Sequence, residues 1–155
     1  MIELTYEKLL IKYDKILKIK EKPLKYNLKG LYRNNKIFID SKLETNKEKA
    51  CILVEELGHH FTSYGDILDQ SDIKNRKQEI IARRWGYKKL VGIVDLINAY
   101  NAGVKNRYEL AEFLNVTESF IDETIEYYRA KYGTCYKIDN YIIYFQPNFG
   151  ILKML

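Results

Sequence analysis

The segment that most restricts the fold of this 155-residue chain is residues 50–61, "ACILVEELGHHF". If the segment is a helix, its apolar side chains leave little solvated face; they are Ala50, Ile52, Leu53, Val54, Leu57 and Phe61. Two glutamates and two histidines stand among them, and ionisable groups on such a helix need partners. We therefore expect a helix packed between other elements, with its polar groups gathered into a site.

Spacing along this helix is compatible with a metal site, although an acidic residue four positions before a histidine is also common on surface helices. Glu55 and His59 are four residues apart, so they stack on one face and can hold one ion between them. Glu56 lies ~100° further round the helix, where a general base would stand. The pattern follows the His-Glu-x-x-His helix of zinc proteases, with Glu55 at the position of the first histidine.

Two other ligand choices on the same helix compete with this one. In a second register Glu56 and His60 bind the metal, but Leu57 then occupies the position of the base, so the first register is favoured. Cys51 shares a face with Glu55 and His59. It lies two turns from His59, roughly 12 Å along the axis at ~1.5 Å per residue, so we expect it to be a core residue.

Glu79 on the following helix is the candidate third ligand. Ala82 and Gly86 lie on its face, and their small side chains would let the two helices approach closely. The alternative is an exposed ion pair between Glu79 and Arg83 at i,i+4 spacing. Asp66 and Asp69, in the loop between the helices, are further candidates, although solvation or helix capping is the commoner role for such residues.

Hydrophobic periodicity and turn residues predict a mixed chain with a division near residues 90–93. An amphipathic helix is expected over 4–19 and a hairpin over 30–40, turning at Asn34-Asn35. Thr45 and Glu48 form a capping-box pattern ahead of a helix over about 46–61. The remaining predicted elements are a helix over 75–91, helices at "IVDLINAYN", "RYELAEFL" and "ESFIDETIEYYRAKY", and a hairpin at "CYKIDNYIIYFQP". The predicted domains are residues 1–91 and 92–155.

The net charge of +5 is concentrated in residues 1–40, which carry ten Lys/Arg and five Asp/Glu. A solvated lysine-rich helix face is the expected explanation, and contact with nucleic acid or an acidic partner is the alternative. Two cysteines make no disulfide framework, and no apolar run approaches the ~20 residues of a membrane span. With no secretory signal pattern, a cytoplasmic protein is expected.

The segment "YELAEFLNVTESFI" has the spacing of a helix-turn-helix. The positions that fit are Ala111, Asn115, Val116 and Ile121. Its second helix is acidic, however, with Arg129 only at the far end; the acidic residues are Glu118, Asp122, Glu123 and Glu126. Because acidic groups repel phosphates, protein contact is favoured over duplex DNA for this segment.

Two stretches resemble the ImmA/IrrE family of bacterial and phage metallopeptidases. They are "KIFIDSKLETNKEKACILVEELGHHFTSYGDI" and, after it, "KQEIIARRWGYKKLV", and the resemblance extends over about residues 28–150. It implies an α+β fold: a mainly helical zincin-like metallopeptidase core with a small β-hairpin or sheet, then a helix-turn-helix-like region and a hairpin.

The resemblance also implies site residues and a function. His59 and Glu79 match metal ligands, Glu56 matches the base, and Glu55 replaces the first ligand histidine. His60 would be a substrate contact or oxyanion stabiliser, or otherwise a half-buried supporting histidine. The expected ion is Zn²⁺, with Mn²⁺ or Fe²⁺ made more favourable by the harder donor set.

The implied activity is metal-dependent cleavage of a helix-turn-helix repressor of a phage or mobile element. A catalytically inactive regulatory protein of the same fold is the alternative that Glu55 suggests, and a DNA-binding module is a third. Neither membrane association nor direct binding of nucleic acid is expected.

Overall fold

The computed structural model describes residues 4–62 and 72–155. The chain forms two compact units, Met1–Leu90 and Val91–Leu155, and the α+β class is confirmed. Asp66 and Asp69 lie outside the described residues. Among the described helices, none combines the length and the apolar character that crossing a membrane requires.

Three helices and a three-stranded sheet form the first unit. In chain order the elements are α1 (Tyr6–Tyr13), β1 (Lys18–Lys22), β2 (Gly30–Arg33), β3 (Lys36–Asp40), α2 (Asn46–Thr62) and α3 (Asp72–Leu90). The strand order is β1-β3-β2; β1 runs parallel to β3, and β2 runs antiparallel to it. Therefore β2 is an edge strand, which matters for the site described below.

The helix predicted over residues 4–19 is wrong at its C-terminal end. Helix α1 stops at Tyr13, and Lys18–Lys22 form strand β1 instead. The apolar pattern does continue to Leu17, which is buried, but Ile16 is 58% exposed. Pairing with β3 decides the conformation here, and this contact between distant parts of the chain outweighs local periodicity.

The predicted hairpin over 30–40 is confirmed. Asn34 and Asn35 both adopt positive φ, of 50° and 59°, as a two-residue hairpin turn requires. Alternation along the strands then buries Ile37 and Ile39 completely. Gly30 and Tyr32 of β2 pair with Ile39 and Ile37, so the Tyr32 side chain points to the same face as these isoleucines.

Helices α2 and α3 pack closely because small residues meet at their contact. A Cβ atom on Gly58 would lie 2.3 Å from the carbonyl oxygen of Ala82, and one on Gly86 would lie 3.0 Å from a methyl group of Val54. Helix α2 begins where predicted, with the Thr45 hydroxyl accepting a hydrogen bond from the Glu48 N–H at 3.2 Å. These contacts set how near Glu79 can come to α2.

The second unit contains α4 (Ile93–Asn101), α5 (Arg107–Leu114) and α6 (Glu118–Tyr132), followed by β4 (Cys135–Ile138), β5 (Tyr141–Tyr144) and β6 (Gly150–Lys153). The three predicted helices and the first two strands are confirmed. Strand β6 was not predicted; it completes an antiparallel sheet in the order β4-β5-β6. Asn115 adopts the left-handed conformation after α5, and Val116 is fully buried, as the helix-turn-helix spacing predicted.

Candidate metal centre

Glu55, His59 and Glu79 converge on one point. Their ligand atoms all lie within 4.8 Å of one another. Helix α2 supplies the first two at i,i+4 spacing, and α3 supplies the third. Glu79 can reach α2 because Gly58 carries no side chain where the helices meet, against Ala82. The three residues that the sequence predicted as ligands are therefore the ones that the structure brings together.

The spacing of the donor atoms fits a metal ion. His59 Nε2 lies 3.3 Å from a carboxylate oxygen of Glu79. Two ligand atoms bound at ~2.0–2.1 Å to one tetrahedral ion lie about 3.4 Å apart. The ligand oxygens of Glu55 and Glu79 lie within 4.8 Å of each other. Two carboxylates at this separation repel each other, and a metal ion held between them would offset that repulsion.

Arg83 is the cation that the structure places beside this cluster. Its Nε lies 3.3 Å from a carboxylate oxygen of Glu55. The expected alternative, an ion pair of Arg83 with Glu79, is not the arrangement seen, since Glu79 pairs with His59. Burial raises the pKa of Glu55 and Arg83 opposes that rise. The hydrogen bond from His59 lowers the pKa of Glu79.

His59 is buried, with its side chain 9% exposed, and its Nε2 faces the carboxylates. Burial alone would lower the pKa of its imidazole, but Glu79, Glu56 and Glu55 together raise it. The other ring nitrogen, Nδ1, is buried and has no hydrogen-bond partner among the described residues. A histidine surrounded by three carboxyl groups thus has one nitrogen directed at the point where the donors meet.

Glu56 lies next to this cluster and is buried, with 9% of its surface exposed. Burial raises the pKa of its carboxyl group to about 7, although His59 and, to a smaller extent, the backbone of Tyr32 oppose the rise. Strand β2 comes this close because Gly30 has no side chain; a Cβ there would lie 2.8 Å from Glu56 Oε1. A carboxyl group with a pKa near neutrality can both accept and release protons.

The structure places His60 away from the converging donors. Its Nδ1 lies 2.8 Å from the hydroxyl of Tyr32, and its ring packs edge-on against Phe61. The Tyr32 hydroxyl is also within 3.1 Å of Asn35 Oδ1. His60 therefore joins α2 to the hairpin, an arrangement that favours the supporting role among those predicted for it.

Sequence reasoning did not single out Tyr32. This residue contacts Glu56 through its backbone and His60 through its side chain. Alternation along β2 predicts the face of the strand on which the Tyr32 side chain lies. The alignment of β2 with α2, however, arises only in the tertiary structure. Cys51 is buried, as its predicted core position requires.

A cleft of about 730 Å³ opens over these groups. The hairpin forms one wall from Asn27 to Asn35, and α2 and α3 form the other with Glu55, Glu56, His59, Glu79 and Arg83. Among the described residues, His60 is not part of these walls. A separate cavity of about 620 Å³ lies wholly within the second unit and contains none of the predicted site residues.

Comparisons of the chain with family models, with curated proteins and with solved structures gave no match.

Proposed function

We propose that this chain is a metal-dependent endopeptidase that cleaves a repressor protein of a phage or mobile element. One observation carries the proposal: Glu55, His59 and Glu79 converge beside the buried Glu56. Zn²⁺ is the ion that the donor set and the resemblance favour, with Mn²⁺ and Fe²⁺ as the other candidates. When bound, such an ion would act as a Lewis acid toward the scissile carbonyl.

Glu56 is the proposed general base. Its carboxylate accepts a proton from the attacking water and returns it to the amine that leaves. A pKa of about 7, raised by burial, lets both transfers occur near neutral pH. His59 and, to a smaller extent, the backbone of Tyr32 both lower this pKa, so both favour the carboxylate form that acts as a base.

Strand β2 is the proposed site of the substrate backbone. Neighbouring residues of an antiparallel strand alternate in the direction of their backbone groups. Arg33 and Lys36 flank the two-residue turn as a hydrogen-bonded pair, so the backbone groups of the next residue, Tyr32, point away from β3. Tyr32 also lines the cleft. An extended peptide can pair with such an edge strand. This arrangement of helix, edge strand and cleft supports a zincin-like core.

A protein substrate agrees better with the second unit than duplex DNA does. Arg107 is held by Glu118 and Asp122, with nitrogen–oxygen distances of 3.2 and 2.8 Å. Arg129 donates to the carbonyl oxygen of Phe145 and pairs with Glu126. Both arginines are thus engaged by the protein itself, and the exposed face of α6 remains acidic. That the substrate is a repressor rests on the resemblance.

A catalytically inactive regulatory protein is the second candidate. The ion pair between Arg83 and Glu55 favours it, because Arg83 neutralises the carboxylate that replaces the expected histidine. In that case the cluster would be stable without metal, and the cleft would hold a protein segment without cleaving it.

The deciding experiment measures the metal content of the wild type, Glu56→Gln and Glu48→Gln. It also measures whether each of them cleaves a helix-turn-helix repressor encoded near this chain. Glu48 is on the same helix, remote from the cluster, so its substitution is the matched control. We expect bound Zn²⁺ in all three, with cleavage by the wild type and Glu48→Gln only. Equal cleavage by Glu56→Gln would contradict the mechanism. Bound repressor without cleavage would establish the regulatory alternative, and metal-independent, salt-sensitive duplex binding would favour the DNA-binding one.

A further inference from the structure

The lysines of strand β1 lie on the face of the sheet that the helices leave uncovered. Alternation along "KIKEK" sends Ile19 and Glu21 to one face and the three lysines, Lys18, Lys20 and Lys22, to the other. Glu21 accepts hydrogen bonds from Tyr6 of α1 and Lys49 of α2, so its face is the covered one. All three lysines are exposed.

The strand register extends this charge across the sheet. Lys18 lies beside Lys36, and Lys36 lies beside Arg33, so one row contains a cation from each strand. In the next row Phe38 stands between Lys20 and Leu31. We call this surface the cationic face; it consists of Lys18, Lys20, Lys22, Leu31, Arg33, Lys36, Phe38 and Asp40.

Among the residues that the structure describes, no carboxylate neutralises the five cations of this face. Within residues 4–62 and 72–155 none of them forms an ion pair. Lys22 Nζ lies 4.1 Å from the centre of the Phe38 ring, a cation–π contact. Asp40, the one acid, accepts hydrogen bonds from the N–H groups of Leu24 and Lys42. Like charges on neighbouring strands destabilise a sheet, so a bound polyanion would relieve their repulsion.

We propose that the cationic face binds single-stranded nucleic acid. The cations surround two half-buried apolar side chains, Phe38 and Leu31. When Lys22 moves from the Phe38 ring to a phosphate, a base can stack on that ring while the other cations contact neighbouring phosphates. An acidic polypeptide would use the charges but not the ring. An anionic membrane would need protruding apolar side chains, and Phe38 and Leu31 are both only partly exposed.

This surface is separate from the helix-turn-helix-like segment, whose acidic second helix argued against binding of nucleic acid. The expectation that the N-terminal lysines form a solvated helix face came from extending α1 through residue 19. With Lys18–Lys22 in a strand, the same charges become an ordered row on a sheet. The proposal needs neither metal nor peptidase activity.

Fluorescence anisotropy with a labelled oligothymidylate of about twelve nucleotides tests the proposal on the full chain. The combined variant Lys18→Gln/Lys20→Gln/Lys36→Gln removes three cations of the face. Its control, Lys8→Gln/Lys105→Gln/Lys137→Gln, removes three exposed lysines elsewhere and has the same net charge. We expect the first variant to bind at least about tenfold more weakly and the control to bind like the wild type. With five phosphate contacts, the logarithm of affinity should fall with log salt at a slope of about −3.5, reduced to about −1.4 in the first variant.

Phe38→Leu separates base stacking from charge, because it keeps an apolar side chain and all the cations. We expect this variant to bind the oligothymidylate at least about fivefold more weakly, because one base loses its stacking partner. Its binding to polyglutamate should not change. Three results would overturn the proposal. The first is an equal loss of affinity for the oligothymidylate in the control variant. The second is that the protein binds polyglutamate at least as tightly as the oligonucleotide and that Phe38→Leu has no effect. The third is that the protein binds phosphatidylserine vesicles in preference to the oligonucleotide. Circular dichroism of each variant confirms that the fold is retained.

Discussion

His59 Nε2 lies 3.3 Å from a carboxylate oxygen of Glu79, whereas the neighbouring His60 directs its Nδ1 to the hydroxyl of Tyr32 at 2.8 Å. Two adjacent histidines of one helix therefore serve different parts of the molecule. One faces the converging carboxylates, and the other joins α2 to the hairpin.

This difference predicts which register binds metal. His59→Asn removes a metal ligand. It should therefore weaken Zn²⁺ binding by more than the ~10- to 100-fold that is lost when a residue hydrogen-bonded to a ligand is removed. His60→Asn should leave the affinity within a few-fold of the wild type. Competition with a chromophoric chelator measures both. If His60→Asn were the more damaging change, the register with Glu56 and His60 as ligands would be the correct one.

Arg83 competes with a metal ion for Glu55, since its guanidinium lies 3.3 Å from that carboxylate. Arg83→Gln should therefore strengthen Zn²⁺ binding about two- to fivefold, in keeping with ~1 kcal/mol or less for a partly exposed ion pair. Arg84→Gln is the matched control on the same helix, and its affinity should not change. Weaker binding by Arg83→Gln would show that the arginine supports the site instead of competing for it.

The contact between Gly58 and Ala82 predicts a stability effect. A Cβ on Gly58 would lie 2.3 Å from a backbone carbonyl oxygen, so Gly58→Ala must push α2 and α3 apart. We expect a loss of about 1–3 kcal/mol in the free energy of unfolding, even though alanine favours a helix over glycine by ~1 kcal/mol. Gly150→Ala meets open space and should change stability by less than about 0.5 kcal/mol. Urea denaturation measures both, and equal values for the two would contradict the close packing.

Tyr6 and Glu21 predict a pH-dependent contribution to stability. The Tyr6 hydroxyl donates to Glu21 at 2.7 Å, and this bond, with help from Lys49, lowers the pKa of Glu21 below its ordinary value of 4.5. A lowered carboxyl pKa stabilises the fold above the unfolded value, and the contribution disappears as pH falls through the folded value. Tyr6→Phe should therefore cost about 1 kcal/mol at pH 7, and less below pH 4.5.

Urea denaturation of the wild type and Tyr6→Phe at neutral and acid pH checks this. Tyr26→Phe, at a side chain that is 91% exposed, is the control and should show no such dependence. A difference that stayed constant down to pH 3 would mean that the hydroxyl contributes by packing and not through the carboxylate.

The sequence predicts elements well where local signals agree. Helices α5 and α6 begin and end at the predicted residues because Asn106 and Thr117 cap their N-termini and Asn115 and Gly133 end them. Strands β1 and β6 were missed, since each is short and is defined by its partner strand. Local periodicity contains no information about such pairing.

The residues of the candidate site likewise include some that local sequence patterns predict and others that only the tertiary structure brings together. Spacing on one helix identified Glu55 and His59, and small residues on the next helix identified Glu79, because these depend on helical geometry alone. The roles of Tyr32 and Arg83 could not be predicted. Both depend on how the hairpin and α3 are aligned with α2, and that alignment is a property of the tertiary structure.

The edge position of β2 also affects whether two copies of this chain can pair through that strand. An exposed edge strand can pair with a second copy of the same chain and so begin aggregation. In a symmetric antiparallel pairing of two β2 strands centred on Leu31, Lys29, just before the strand, would be brought against Arg33, its last residue. Repulsion between them disfavours the identical strand, whereas a peptide with acidic residues at those positions would be attracted. The same edge can thus exclude its own copy and remain open to a different chain.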